Sequence, residues 1–146
     1  MTQSIGYSAH AEGHYTDAIG EHSHAEGYLS IAEGNNSHAE GHSSQAKGNA
    51  SHTEGLGTQA IGDGSHAEGG AYNEDTGMGE MIKEMTGGLI GGSTETTIAE
   101  GVYSHAEGGS TYAYGDCSHA EGIGTQAYTG SHAEGVGSYA GIAGFE

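Results

Sequence analysis

Small and large side chains alternate along this chain in short stretches that recur every seven residues. The stretches start at 9, 16, 23, 30, 37, 44, 51, 58 and 65 and read AHAEG, TDAIG, SHAEG, SIAEG, SHAEG, SQAKG, SHTEG, TQAIG and SHAEG. In each stretch the small first and third residues share one face of a strand, and the second and fourth share the opposite face. The glycine and turn residues that follow end the strand, so each unit predicts one short strand and one tight turn.

A seven-residue period is also typical of coiled coils, but this sequence excludes them. A glycine recurs in almost every unit, at a cost of about 1 kcal/mol each inside a helix, and no leucine or isoleucine seam is present. SHAEG instead recurs at every second unit, which predicts coils of two strands and 14 residues, with SHAEG strands on one side and variable strands on the other. The predicted fold is an all-β parallel β-roll, a solenoid with a small-residue interior. Roughly eight coils at about 4.8 Å each would form a rod on the order of 40 Å long.

One interruption preserves the alternation of sides. A variable strand is due at 72 but appears at Thr97, so 25 residues are inserted. The pattern then continues to the C-terminal region, with a step from 125 to 131 that is one residue short. Because solenoid insertions project from one edge, we predict one β-roll domain over 1–146 with an inserted loop at 70–96. Apolar residues at helical spacing predict a short amphipathic helix in this loop. They are Met78, Met81, Ile82 and Met85.

Composition and charge exclude several classes of protein. Hydrophobic residues are 33% of the chain, with 30 glycines, no tryptophan and no proline, so a core of large side chains is not expected. A formal net charge of -18, from 20 acidic against two basic residues, argues against a nucleic-acid partner, because phosphate contacts need clustered cations. The sequence shows no signal peptide and no apolar run of about 20 residues, so we expect no membrane insertion. The single cysteine, Cys117, predicts no internal disulfide.

The repeats from about Ala9 to Gly69, and from Thr97 onward, fit the pattern SxAxGxxSxAxG. In this pattern the chain resembles the YadA-like head domain of trimeric autotransporter adhesins, a left-handed parallel β-roll also found in phage tail-fibre proteins. The resemblance implies a homotrimer, a left-handed coil and an adhesive or fibrous role, with a cell-surface glycan or protein as receptor. The secretion signal, coiled-coil stalk and membrane barrel of those adhesins are absent from this sequence. We therefore expect a virion tail fibre, or another extracellular or cell-surface assembly.

Two further arguments concern assembly. A single roll filled with alanine, serine and threonine buries little apolar area, so burial between chains must help to offset the ordering entropy of a glycine-rich chain. The roll also begins near Met1 and ends near Gly144 with almost no capping element, and uncapped solenoid ends favour end-to-end stacking. A self-assembling extracellular filament is therefore the alternative function.

Eight of the 11 histidines stand at the second place of the SHAEG-type motif, each with a glutamate two residues on. Both side chains project outward and are expected to stack in columns at the strand spacing. Three interpretations are open: an interface ladder at the threefold axis, a solvated acidic side, or capture of an adventitious divalent metal. No other cofactor is expected. The histidines are His10, His24, His38, His52, His66, His105, His119 and His132, and the glutamates are Glu12, Glu26, Glu40, Glu54, Glu68, Glu107, Glu121 and Glu134.

If these histidines pair with glutamates of a neighbouring chain at the threefold axis, their pKa should be raised, and the stability they contribute should be present at mildly acidic pH and lost as the pH rises. On the variable side, tyrosines gather toward the C-terminal half and form a candidate surface for stacking on sugars, or simply cover an apolar side or pack between chains. They are Tyr112, Tyr114, Tyr128 and Tyr139. The apolar residues of the inserted loop are also candidate contacts.

Catalysis is not expected. The pair HxE recurs on flat strands, whereas an active site needs a unique concave constellation of different residues. The signatures HExxH, GxSxG and GGxGxD are absent from the sequence.

Overall fold

A computed structural model of the chain describes residues 1–70 and 96–141, which form an all-β parallel solenoid of about 8 turns. These described residues contain strands and no helix, and accordingly none with the length and apolar character needed to cross a bilayer. The predicted helix around Met81 and most of the predicted 70–96 loop lie outside the described residues. The prediction of an all-β solenoid with 14-residue coils is confirmed.

The strands form two sheets, one on each side of the solenoid. The 8-stranded sheet contains the SHAEG-type strands and is called the histidine sheet. Its strands are β2 (His10–His14), β4 (His24–Tyr28), β6 (His38–Ala39), β8 (His52–Leu56), β10 (His66–Gly70), β12 (His105–Gly109), β14 (His119–Ile123) and β16 (His132–Val136). The 9-stranded sheet is called the variable sheet. Its strands are β1 (Gln3–Ser4), β3 (Asp17–Ala18), β5 (Ile31–Ala32), β7 (Gln45–Ala46), β9 (Gln59–Ala60), β11 (Ile98–Ala99), β13 (Tyr112–Ala113), β15 (Gln126–Ala127) and β17 (Tyr139–Ala140).

Every pairing is parallel and in register, including the pairings that cross the interruption. His66 pairs with His105 in the histidine sheet, and Gln59 pairs with Ile98 in the variable sheet. The predicted alternation of sides is therefore maintained across the inserted segment. The short step is also confirmed, because His119 pairs with His132 only 13 positions later.

The interior consists of small side chains contributed by both sheets. Ser65 is 1% exposed and Ala67 is 0% exposed, as predicted for the inward positions. The alanine column is interrupted once, where the SHTEG unit places the fully buried Thr53 between Ala39 and Ala67. Because neighbouring coils lie close together and the sheets face each other directly, the interior accommodates alanine, serine and threonine but no large side chain.

Serine begins most SHAEG strands because its buried hydroxyl has a partner there. The Oγ of Ser65 donates to the carbonyl of Gly62 at 2.6 Å, and Ser51 and Ser104 make the equivalent bond to the glycine three residues earlier. Each hydroxyl thus satisfies a carbonyl at the corner of its own coil, so the polar atom is buried without a lost hydrogen bond.

Side-chain oxygens of asparagine and aspartate connect successive coils along one corner. Asn49 Oδ1 accepts the amide of Asn35 at 3.2 Å, and Asp63 Oδ1 accepts the amide of Asn49 at 2.8 Å. The residue after each of these, such as Asn36 or Ala50, has a positive φ near 55°. The turn residues read from the sequence are therefore corner residues whose side chains replace backbone ladder bonds.

Candidate functional site

The outward face of the histidine sheet presents three parallel columns of side chains. Histidine and glutamate form the first two, because in-register strands place identical motif positions above one another. Sequence reasoning missed the third column, which lies two residues beyond each glutamate where the same alternation continues past the glycine. Its members are His14, Tyr28, His42, Leu56, Gly70, Gly109, Ile123 and Val136.

The histidine column is a continuous stack of imidazole rings. From His24 to His132, neighbouring ring centroids are 4.6 to 4.9 Å apart, with planes within 12° of parallel. At the N-terminal end, His10 and His24 are 5.0 Å apart but inclined at 72°. The predicted column is thus formed in this chain, with its rings stacked on one another.

Several Nε2 atoms in this stack are buried without a hydrogen-bond partner. Among the described residues, six Nε2 atoms are buried without one, those of His24, His38, His52, His66, His105 and His119. The nearest carboxylate oxygens lie 3.5 to 3.9 Å from histidine Nε2 atoms, as in His119 with Glu121 at 3.6 Å. These separations are too long for hydrogen bonds of ordinary geometry. The single chain therefore brings histidine and glutamate together without pairing them closely.

A shallow open groove of about 520 Å³ runs along the glutamate column. Its floor is made of the motif glycines, and its side is made of the glutamates. The lining residues are Glu26, Gly27, Glu40, Gly41, Glu54, Gly55 and Gly69. Since the floor has no side chains, the carboxyl groups interact chiefly with one another along the groove.

Neighbouring carboxyl groups in this groove titrate in alternation. The pKa of Glu40 is raised to about 7, first by its hydrogen-bonded contacts with Glu54 and Glu26 and then by burial. The pKa of Glu68 is raised to about 7 in the same way, chiefly through Glu54. Contacts with the protonated neighbours lower the pKa of Glu26 and Glu54. A protonated carboxyl thus donates to an ionised one, which relieves the repulsion of stacked like charges.

Raised histidine pKa values are predicted for rings paired with glutamates of a neighbouring copy, and in the single chain the pKa of three rings is shifted in the opposite direction. Burial lowers the pKa of His38, His66 and His105, and repulsion from the stacked neighbouring imidazoles lowers it further. The adjacent glutamates favour the charged form, but they are too distant to offset these effects. The sign of the pH dependence is consequently reversed: the histidine contribution is present above the ordinary pKa of 6.5 and is lost as the pH falls below it.

The glutamates with raised pKa change the stability with pH in the opposite direction to the histidines. A double variant of these glutamates should therefore separate the two effects. We expect Glu40→Gln with Glu68→Gln to gain about 1 kcal/mol at pH 8 and nothing at pH 5, because Gln imitates a protonated carboxyl and ionised stacked carboxylates repel. Stability contributed by the raised carboxyls is present below 4.5 and is lost as the pH rises through about 7. Urea unfolding in chelator-treated buffer at both pH values measures the change.

The matched control removes two charges from the opposite side of the roll. Glu33 and Glu100 lie on the outward side of the variable sheet, so Glu33→Gln with Glu100→Gln makes the same change in net charge away from the groove. An equal gain in the control, or a gain of equal size at pH 5, would contradict the role assigned to the groove carboxyls.

The predicted tyrosine surface lies together on the variable sheet. The rings of Tyr112 and Tyr114 stack at 5.3 Å, and those of Tyr114 and Tyr128 stack at 5.5 Å. Tyr139 is half exposed. It belongs to the same column as Tyr112, in which Gln126 lies between the two tyrosines. Three of the tyrosines are therefore stacked together, and Tyr139 lies one coil beyond Gln126 on the same sheet. The other candidate contacts, Met78, Met81, Ile82 and Met85, lie outside the described residues.

Comparison with known proteins adds no family to this description. No protein-family model matches the chain, and a search of curated proteins finds no match either.

Proposed function

We propose that this chain is a non-enzymatic structural segment of a homotrimeric fibre or surface adhesin, in which the histidine sheet packs against neighbouring copies. One observation carries the proposal: in the described residues this flat face holds a row of buried, unpartnered Nε2 atoms beside a glutamate column and a third column that exposes Tyr28, Leu56 and Val136. Unpartnered polar atoms are costly to bury, and a ring that rotates outward could take its missing acceptor from a carboxylate of a neighbouring copy. Facing glutamates of another copy have the right chemistry.

The interior supports assembly on energetic grounds. The buried hydrophobic residues within the described ranges are all alanines. Alanine contributes little apolar area, and at about 25 cal/mol per Å² its burial offsets only part of the entropy lost on ordering each residue. Half-exposed Tyr28, Leu56 and Val136 lie in the third column of the same face. Covering them in a trimer adds apolar burial that the single chain lacks.

The variable sheet is then the outer surface, available to a receptor. Three stacked tyrosines and Tyr139 form an aromatic patch there, and aromatic faces with polar edges suit the apolar faces of sugars. We assign this patch to receptor contact, with a cell-surface glycan as the preferred ligand class and a protein as the other. The corresponding location is a virion tail fibre or another extracellular surface.

The mass of the protein in solution tests the trimer. We expect three times the chain mass of 14.7 kDa by light scattering across a range of concentrations, with discrete short particles in negative-stain images. A mass equal to one chain at all concentrations would refute the proposal.

A filament built by end-to-end stacking is the second candidate. It is favoured by the two ladders, in which each strand pairs in register with strands of the same kind along its edges. In-register parallel strands of identical motif can add to such edges. Long fibres in the same images, rather than discrete particles, would support this function over the first.

A further inference from the structure

We propose that the histidine and glutamate columns form a series of binding sites for a borderline divalent transition metal, with Zn²⁺ as the reference ion. The ligand-bearing side chains of adjacent strands already converge. In several groups, two histidines and a glutamate, or two glutamates and a histidine, place one ligand atom each within 4.8 Å of the others. The groups include His10–Glu12–His24, Glu26–His38–Glu40, Glu40–His52–Glu54, His105–Glu107–His119 and His119–Glu121–His132.

The separations within these groups are closer to those of metal ligands than to those of hydrogen bonds. Zinc binds nitrogen and oxygen at about 2.1 Å in tetrahedral geometry, so two of its ligands are roughly 3.4 Å apart. The Nε2 of His10 is 3.5 Å from Glu12, and that of His119 is 3.6 Å from Glu121. A hydrogen bond would draw these atoms to about 2.9 Å. An ion between them needs only a small further approach.

The imidazoles must also approach one another across the strand spacing. Parallel rings such as those of His105 and His119 are 4.7 Å apart, so one ring has to tilt out of the stack to share an ion. The pair His10 and His24 already has this arrangement, with planes inclined at 72°. His10 is also well exposed, so its ring can adjust. This cluster is the site best prepared for an ion.

The electrostatics of the face favour a cation. Stacked carboxylates repel, and an ion bound between them and the imidazoles neutralises that repulsion directly. Six Nε2 atoms of the described column have no hydrogen-bond partner, so binding breaks no existing bond at these atoms. Imidazole ligands select zinc, nickel or copper over magnesium and calcium, which prefer oxygen.

Shared ligands set an upper limit on occupancy. His119 belongs to two of the groups and Glu40 to two others. If each shared side chain serves one ion at a time, the five groups named above hold about three ions together, and one further group raises the limit to about four. Adjacent sites at the strand spacing would also place divalent charges about 4.8 Å apart, which opposes filling both.

Isothermal titration of the apo protein with ZnCl₂ tests the sites. We expect about three or four Zn²⁺ per chain, no competition from a large excess of CaCl₂, and a tetrahedral visible spectrum when CoCl₂ replaces zinc. Weak heat with dissociation constants above about 1 mM, corresponding to about 4 kcal/mol, would overturn the proposal.

Two variants distinguish zinc binding at these shared groups from nonspecific binding of zinc to any histidine of the chain. His119→Ala removes the ligand common to two groups and should lower the stoichiometry by one ion. His132→Ala leaves His105–Glu107–His119 intact and should not change it. Equal losses in the two variants, or no loss in either, would overturn the shared-ligand arrangement. If His119→Ala does not fold, Glu107→Gln with Glu121→Gln removes the carboxylates of both groups and should also cost one ion.

The metal proposal does not depend on the trimer. Each group is complete within one chain, but the proposed trimer turns the same side chains toward neighbouring copies, so the titration is also made on the Leu56→Glu variant, in which the trimer is expected to dissociate. Normal zinc binding by a monomeric parent would refute the fibre proposal alone, whereas absence of zinc binding by Leu56→Glu would refute the metal sites alone.

Discussion

Gly69→Ala is expected to abolish stable folding or to lower the melting temperature by more than about 10 °C, equivalent to at least 3 kcal/mol. Gly69 has a φ of 107°, which alanine rarely adopts. A Cβ added there would also overlap the carbonyl oxygen of Gly108 in the next coil. Backbone strain and steric overlap act together, and the overlap cannot be relieved by moving a flexible side chain.

The adjacent glycine provides a matched control. Gly70 is in the same strand, but a Cβ added there would meet the Cβ of Leu56 at 3.7 Å, an ordinary van der Waals contact. Gly70→Ala should therefore be neutral or gain up to about 1 kcal/mol through the lower entropy of the unfolded chain. Thermal and urea unfolding followed by circular dichroism measure both variants. Similar losses for the two would show that crowding between coils does not explain the glycine column.

The glycine column explains why the fold could be predicted from this sequence. Each seven-residue unit specifies its strand, its inward small residues and its corner, and stacking repeats the same contacts in every coil. Ser65 and Ala67 could be assigned to the interior because every equivalent position has an equally small residue. The register across the insertion followed from the same repetition, since a shift by one unit would pair SHAEG strands with variable ones.

The candidate site could be predicted only in part. The sequence places histidine and glutamate in columns, and the glutamate that it places beside His119 is Glu121, two residues further along the same strand. In the fold the His119 ring is stacked between the imidazoles of His105 and His132, with centroid separations of 4.7 and 4.6 Å, and the Glu121 carboxylate stays 3.6 Å from its Nε2. Burial and stacked neighbouring imidazoles lower the pKa of His38, His66 and His105. The spacing of histidine and glutamate in the sequence does not reveal this burial or this stacking, so it could not give the electrostatics.

The third column was missed for a related reason. Its residues, such as Tyr28 and Leu56, follow the motif glycine and read as turn residues in a seven-residue unit. Most strands of the histidine sheet are in fact 5 residues long, so the outward alternation includes one more position. This column makes the histidine sheet partly apolar, which is why the face has the character of an interface as well as of an acidic surface.

Leu56→Glu is expected to dissociate the trimer, lowering the solution mass to that of one chain, if the histidine sheet faces the threefold axis. Leu56 is 47% exposed in the single chain, so the substitution leaves the interior of the roll unchanged. In the proposed trimer, however, it would bury a new carboxylate near the glutamate column. An unpaired buried charge costs several kcal/mol, enough to reverse association through a surface of this kind.

Ile61→Glu is the matched comparison on the opposite face. Ile61 lies in the same region of the roll, is 38% exposed and projects from the variable sheet, so the same charge is added to a similar apolar residue. This variant should keep the trimeric mass, and both should keep the circular dichroism spectrum of the parent. Dissociation by Ile61→Glu but not by Leu56→Glu would place the variable sheet at the axis. The tyrosine patch would then be an interchain contact, and the histidine columns would form the outer surface.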